Sequence, residues 1–216
     1  RTAAAEEALK RVEEWRRAVQ ASPESPLLHT RLGDALSAIS GSENQALAHF
    51  SRAMELDPRA WSTVFRLGKL MVESGRSEQA LELLRDYVLH QPEEHIGHLY
   101  LARAYRDGGN DDAAIEVLRR GLSQVEPEAS LNHLLGALLR DRGEPVEALP
   151  YLESAARLMP NNPSILKDLA LCFELLGDEP SALSLLGQAL VIDPGSASIR
   201  YHRDRIRGRG EEREHP

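Results

Sequence analysis

Residues 135–160 read LGALLRDRGEPVEALPYLESAARLMP, and this stretch contains the features that decide the fold. It opens on a leucine–glycine pair, turns at Gly143, continues through Ala148 and ends at Pro160. The alanine of this stretch recurs at intervals of 34 residues, as Ala46, Ala80, Ala114, Ala148 and Ala182. A fixed period of this length is typical of stacked helical repeats. The sequence therefore predicts a repeat architecture before any functional motif is considered.

Each 34-residue repeat contains two apolar stripes with helical spacing. The first stripe occupies repeat positions 4, 7, 8 and 11, which in the last repeat are Leu166, Leu169, Ala170 and Phe173. The second follows at positions 20 to 28, and a glycine separates the two stripes in four repeats: Gly75, Gly109, Gly143 and Gly177. Spacing of i, i+3, i+4 and i+7 marks one face of a helix, and glycine accepts the left-handed conformation that ends one. Ser77, Asn110 and Asp178 are predicted to cap the helices that follow. Each repeat is thus predicted to be two antiparallel helices whose apolar faces meet.

This pattern resembles the tetratricopeptide repeat family over residues 26–196. The resemblance rests on Leu-Gly or Leu-Ala at positions 7 and 8, alanine at 20, phenylalanine or leucine at 24, and proline near the end of each repeat. It implies an all-α, right-handed α-solenoid of antiparallel helix pairs with an extra helix at each end. The predicted organisation is an N-terminal helix and half repeat over residues 1–25, repeats over 26–60, 61–94, 95–128, 129–162 and 163–196, and a C-terminal capping helix with a charged tail over 197–216.

The composition narrows the function. The formal net charge of −8 argues against general nucleic-acid binding, which requires a basic footprint. No apolar run approaches the roughly 18 residues that a membrane span requires, so a soluble chain without direct membrane insertion is predicted. The chain begins at Arg1 without a visible leader, so we expect a processed product or an excised segment. The cytoplasm is favoured as its compartment, and the periplasm stays open if an upstream leader was removed.

The family resemblance implies that partners bind on the concave face, which the first helix of each repeat lines. Helical geometry groups repeat positions 2, 5, 9 and 12 on that face. Its middle is basic and apolar, which predicts binding of a protein or peptide, with an acidic or carboxylate-ended segment as the hypothesis. The alternative is a solvated face on which Asp107 neutralises Arg106 and Asp141 neutralises Arg140. The predicted partner-binding residues are Phe65, Lys69, Ile96, Leu99, Arg103, Arg106, His133, Arg140 and Lys167.

Other site chemistries are not expected from this sequence. The carboxylate clamp by which some family members bind chaperone C-termini requires asparagines that no register of these repeats supplies. His95, His98 and His133 lack the partners of a zinc site, and His98 is expected in the core. Cys172 stands at a packing position and is expected to be buried and inert. The chain is therefore predicted to be no enzyme and to hold no metal or cofactor.

Two further functional interpretations stay open from the sequence. The chain could be the regulatory or substrate-recruiting arm of a larger enzyme or of a bacterial envelope assembly. It could also form a homodimer through the N-terminal helix, around Val12 and Trp15, where the first half of a repeat is missing.

Overall fold

Helices make up the whole described architecture. The computed structural model describes the backbone of residues 3–214 and the side chains of residues 6–208, where we find twelve α-helices and no strand. The predicted terminal segments, residues 1–25 and 197–216, extend beyond the described residues at both ends. The chain divides into two compact units, residues 1–114 (unit 1) and 115–216 (unit 2), and the boundary falls within one helix. The prediction of an all-α chain is confirmed.

Unit 1 is built from helix pairs joined by short turns. Its helices are α1 (Ala3–Ala21), α2 (Pro26–Ser37), α3 (Glu43–Leu56), α4 (Trp61–Glu73), α5 (Ser77–His90), α6 (His95–Asp107) and the first residues of α7 (Asp111–Gln124). Helix α2 packs on α3, α4 packs on α5, and α1 covers α2. Val12 of α1 is only 2% exposed because it packs with Leu32 and Phe50. One side of α1 is therefore covered within the chain, and the homodimer stays a prediction.

Unit 2 repeats the same arrangement and ends with a covering helix. It contains the rest of α7 and then α8 (Ala129–Asp141), α9 (Pro145–Leu158), α10 (Pro163–Leu175), α11 (Glu179–Ile192) and α12 (Ala197–Glu214). Helix α8 packs on α9, α10 packs on α11, and α12 lies on α11. Ile199 and Ile206 are 3% and 1% exposed in a core with Leu186, so α12 closes the apolar end of this unit.

The turns within the repeats follow the glycines. Within the described residues, positive φ occurs only at glycine, with values of 75° to 84° at Gly41, Gly75, Gly109, Gly143 and Gly177. The predicted caps Asn110 and Asp178 accept backbone N–H bonds from Ala113 and Ser181. The cap predicted at Ser77 is wrong, because α5 begins at Ser77 itself and its hydroxyl donates to Asp107 Oδ2 at 2.9 Å.

No helix in the described part of the chain is long and apolar enough to cross a membrane.

Candidate functional site

Helices α4 and α6 bring the most distinctive side chains of unit 1 together. Phe65, Lys69 and Glu73 are four residues apart on α4, and Tyr100 and Arg103 are three apart on α6. These spacings place the residues of each helix on one side of it. Helix α6 packs against α4, so the two rows meet. We call these five residues the aromatic–cationic face.

Aromatic rings form the centre of this face. The Phe65 ring lies 5.1 Å from the ring of Tyr87 and 5.6 Å from that of Tyr100, and the second pair is T-shaped at 81°. Such edge contacts fix ring positions beyond what burial alone does. Tyr100 is only 6% exposed, and its hydroxyl donates to Glu73 Oε1 at 2.7 Å. Burial, and then the bond to Glu73, raise the pKa of Tyr100 to about 12, so the phenol stays neutral and acts as a donor.

Two cations flank the ring of Tyr100. Lys69 Nζ lies 5.8 Å from the ring centroid and Arg103 Cζ lies 5.0 Å from it, both within the range of cation–π attraction. The ammonium of Lys69 is also 3.8 Å from Glu73, at the long end of an ion pair. Among residues 6–208, the guanidinium of Arg103 has no carboxylate within ion-pair distance. Arg103 therefore keeps its full positive charge on a partly open surface.

A cavity adjoins these cations between α2 and α4. Its volume is about 420 Å³, with Phe50, Phe65, Ala38 and Leu70 as apolar lining. Its polar lining is Asp34, Ser37, Arg66, Lys69 and Glu73. The charges at one wall are already paired, because Arg66 Nε donates to Asp34 Oδ1 at 2.8 Å. The cavity thus offers an apolar floor beside Lys69.

The predicted residues of α6 do not all reach the surface. Leu99 is 5% exposed because α6 packs against both α4 and α5, so the expectation of Leu99 as a displayed anchor is wrong. Ile96 is half-buried. Arg106 is exposed and pairs with Asp107 at 3.3 Å, as the solvated-face alternative expected. Tyr100 is buried to the same degree, and its ring lies beneath Lys69 and Arg103, which are partly exposed. Tyr100 was not predicted, and its signal was its three-residue spacing from Arg103.

Unit 2 uses its predicted basic residues within itself. The carboxylate of Asp168, which is 7% exposed, receives His133 Nε2 at 2.6 Å, Arg140 Nη1 at 2.8 Å and Lys167 Nζ at 3.4 Å. Arg140 also pairs with Asp141 at 2.7 Å, as the solvated-face alternative expected, but its side chain is only 11% exposed and therefore does not lie on a solvated face. Three predicted partner-binding residues therefore contact one nearly buried acid, Asp168, which the repeat pattern does not single out.

The electrostatics of Asp168 reflect that convergence. Burial by itself raises the pKa of a carboxyl group. The pKa of Asp168 is nevertheless lowered to about 2, because Asp168 accepts hydrogen bonds from His133 and Arg140 and lies near the charges of Arg140 and Lys167. The carboxylate is therefore ionised at neutral pH and neutralises the groups around it. On this evidence of charge pairing, Arg140 and Lys167 offer less to an outside anion than Arg103 does.

His98 and Cys172 both lie in the packed core. His98 is fully buried, and its Nε2–H donates to the carbonyl of Pro92 at 2.9 Å, which confirms its core position. Cys172 is fully buried, with its Sγ 3.2 Å from the carbonyl oxygen of Pro145, and burial raises the pKa of its thiol. Among the described residues, no three His, Cys, Asp or Glu side chains are grouped as metal ligands.

Comparisons with known proteins identify the repeats. Family models described as tetratricopeptide repeat match residues 65–129 and 139–203, which together are more than half of the chain. A co-chaperone of Fusarium oxysporum f. sp. lycopersici with tetratricopeptide repeats and a J domain is 28% identical over 167 residues. That match covers 73% of this chain and 32% of the co-chaperone, so the chain spans about a third of its length.

Solved structures agree on the fold. A thermophilic tetratricopeptide protein from Thermus thermophilus is 25% identical, with a TM-score of 0.65 over 84% of this chain and 98% of that one. The structure of pilF from Pseudomonas aeruginosa is 20% identical, with a TM-score of 0.76 over 88% of this chain and 86% of that one. Both share the fold of this chain, and the predicted solenoid class is confirmed.

Proposed function

This chain belongs to the tetratricopeptide repeat family, and from that premise we propose that it is a non-catalytic scaffold that binds a protein segment on the aromatic–cationic face of unit 1. The fold in general serves protein–protein interaction rather than catalysis. The observation that carries the proposal is that Arg103, which has no carboxylate partner among residues 6–208, lies over the buried ring of Tyr100 beside an apolar cavity.

The charge of the face favours an acidic or carboxylate-ended segment. The chain as a whole carries a net charge of −8, yet Arg103 has no internal counter-ion among the described residues. A carboxylate that approaches it can accept two parallel N–H bonds from the guanidinium. Lys69 lies on the same ring and is only loosely paired with Glu73. The partner would supply a carboxylate for Arg103, since the one carboxylate of the face, Glu73, is 3.8 Å from Lys69.

Charge reversal on the face tests this function. The variant Lys69→Glu with Arg103→Glu is expected to weaken partner binding by at least roughly tenfold, because two attractions become repulsions. The chain and the variant are compared in quantitative affinity capture from the source organism. Proteins retained by the natural chain and lost by the variant are the expected result.

A matched control carries the same change in net charge elsewhere. Arg59 and Arg120 are exposed and lie outside the face, so Arg59→Glu with Arg120→Glu is expected to retain the same proteins. Circular dichroism checks that all three chains are equally helical. Equal loss in both variants, or no loss in either, would contradict the proposed site.

A second proposal is that the chain acts as the recruiting arm of a larger protein. The match to the J-domain co-chaperone supports it, because the aligned repeats are only 32% of that protein. The coding sequence on either side of this segment tests it directly. A catalytic or membrane domain there would support the arm, and stop codons close to both ends would contradict it.

A further inference from the structure

The cavity between α2 and α4 has a chemistry different from that of the two cations beside it. Its floor is apolar, with the rings of Phe50 and Phe65, while Asp34 and Arg66 at its wall satisfy each other at 2.8 Å. A charged group that entered the cavity would lose its hydration and find no ion-pair partner among the apolar floor residues, which is unfavourable. An apolar side chain would displace water from apolar surface, which is favourable. The volume of about 420 Å³ leaves room for a large side chain.

The cavity and Arg103 are connected through shared residues. Lys69 lines the cavity, and Lys69 Nζ and Arg103 Cζ both lie within 6 Å of the centroid of the Tyr100 ring. One bound segment can therefore reach the apolar floor and the guanidinium of Arg103 together. In an extended segment, side chains two residues apart lie on the same side and about 7 Å apart.

We propose that this cavity is a specificity pocket for one large apolar side chain, and that Arg103 binds a carboxylate on the same segment two or four residues away. This rests on the proposed function and names the partner class: an extended acidic segment with a leucine, isoleucine, methionine or phenylalanine anchor. The anchor side chain supplies the selectivity, because residues that fill a desolvated pocket commonly carry most of the binding energy. The carboxylate fixes the register.

A peptide library tests the spacing. Random twelve-residue peptides displayed on phage are selected against the full chain. The expected result is enrichment of peptides in which Asp or Glu follows a large apolar residue by two or four positions. Peptides in which the two are separated by one or three positions should be enriched less. Enriched peptides without this pair, or no enrichment over the Lys69→Glu, Arg103→Glu variant, would overturn the proposal.

A pocket-filling variant then separates the pocket from the rest of the face. Ala38 lines the cavity and is exposed at the end of α2, so Ala38→Trp fills the cavity without changing charge. It is expected to weaken an enriched peptide at least roughly tenfold and to leave the same peptide with alanine at the anchor unchanged. Ala48→Trp, at an exposed position of α3 outside the cavity, is the control and is expected to bind normally.

The outcomes distinguish this inference from the proposed function. If Ala38→Trp leaves binding unchanged while reversal of Lys69 and Arg103 abolishes it, the pocket assignment fails and the binding face stands. If neither change affects binding, both fail. A binding change with Arg103→Gln that is equal for acidic peptides and their amide analogues would overturn the carboxylate contact alone.

Discussion

Single side chains satisfy the buried polar groups of these repeats in a recurring way. His29 and His98 occupy the same repeat position and each donates from Nε2 to a proline carbonyl six residues upstream, at 2.9 Å. Both rings are at least nine-tenths buried. Each histidine therefore serves as a packing residue that also satisfies the carbonyl of the preceding turn, which a leucine at that position cannot do.

His29 differs from His98 because it meets a second histidine. With its Nε2–H committed to the Pro23 carbonyl, neutral His29 must accept at Nδ1 from the Nδ1–H of His49, 3.0 Å away. Burial lowers the pKa of His49, and the charges of His29 and Arg16 lower it further. If His29 were also protonated at Nδ1, the Nδ1–H groups of His29 and His49 would face each other and repel.

The pair predicts an acid-sensitive unit 1. A histidine with a lowered pKa in the folded state binds fewer protons than in the unfolded state, so its contribution to stability is present above pH 6.5 and is lost as the pH falls. We expect a lower urea midpoint at pH 5.5 than at pH 7.5, followed by circular dichroism. His49→Gln keeps a donor for His29 without titrating, so its midpoint is expected to fall less. Parallel pH dependence in both chains would contradict this assignment.

At the candidate site, the sequence predicted some side chains correctly and others not. Lys69 and Arg103 are identified by the helical period and are partly exposed on the face. Leu99 and Tyr100 are neighbours in the chain, and which of them faces α4 depends on how α6 is rotated in its packing. A period of 3.6 residues fixes that rotation only to within about one residue. Asp168 was missed for a different reason, because a lone acid carries no periodic signal.

At the scale of the helix pair, close approach depends on small residues. The Cβ of an alanine at Gly136 would stand 2.6 Å from Leu152 Cγ and 3.2 Å from the carbonyl oxygen of Ala148. The second contact involves backbone, which cannot move aside easily. The sequence pattern predicted this position correctly because glycine or alanine precedes the second helix by the same interval in four repeats and by one residue more in the first.

A pair of glycine variants tests that packing. Gly136→Ala is expected to destabilise the protein by about 1–3 kcal/mol through overpacking of α8 against α9. Gly187→Ala lies in the middle of α11 with no atom within 4 Å of its new Cβ, so it is expected to stabilise by about 0.5–1 kcal/mol through helix propensity. Urea unfolding measures both. Similar effects of the two variants would show that local packing at Gly136 is not the cause.

For the whole molecule, the repeat period was sufficient to predict the all-α class and the helix-pair construction. The glycine turns were predicted as well, because each depends on residues within one repeat. The division into two compact units within α7 was not predicted. It depends on how densely the helices contact one another, and the repeat pattern carries no signal for that density. The two units also differ in how their basic side chains are paired. Within the described residues, Arg103 of unit 1 has no carboxylate partner, whereas His133, Arg140 and Lys167 of unit 2 contact Asp168.

Repeat proteins gain stability from each repeat and its neighbours, so a strong local defect can split their unfolding. Asp168→Ala leaves the nearly buried Arg140 without its buried carboxylate partner and is expected to destabilise unit 2 by about 3–5 kcal/mol. Both tryptophans, Trp15 and Trp61, belong to unit 1. Fluorescence therefore reports on unit 1, whereas helical circular dichroism reports on both units.

The expected result for Asp168→Ala is an early urea transition in circular dichroism that fluorescence does not follow. Because the lost ion pairs lie wholly in unit 2, the tryptophan transition should stay near that of the natural chain. Asp204→Ala removes an exposed ion pair of the same unit and is expected to shift both curves by no more than about 0.5 kcal/mol. Coincident transitions displaced together in Asp168→Ala would show instead that the repeats unfold as one cooperative body.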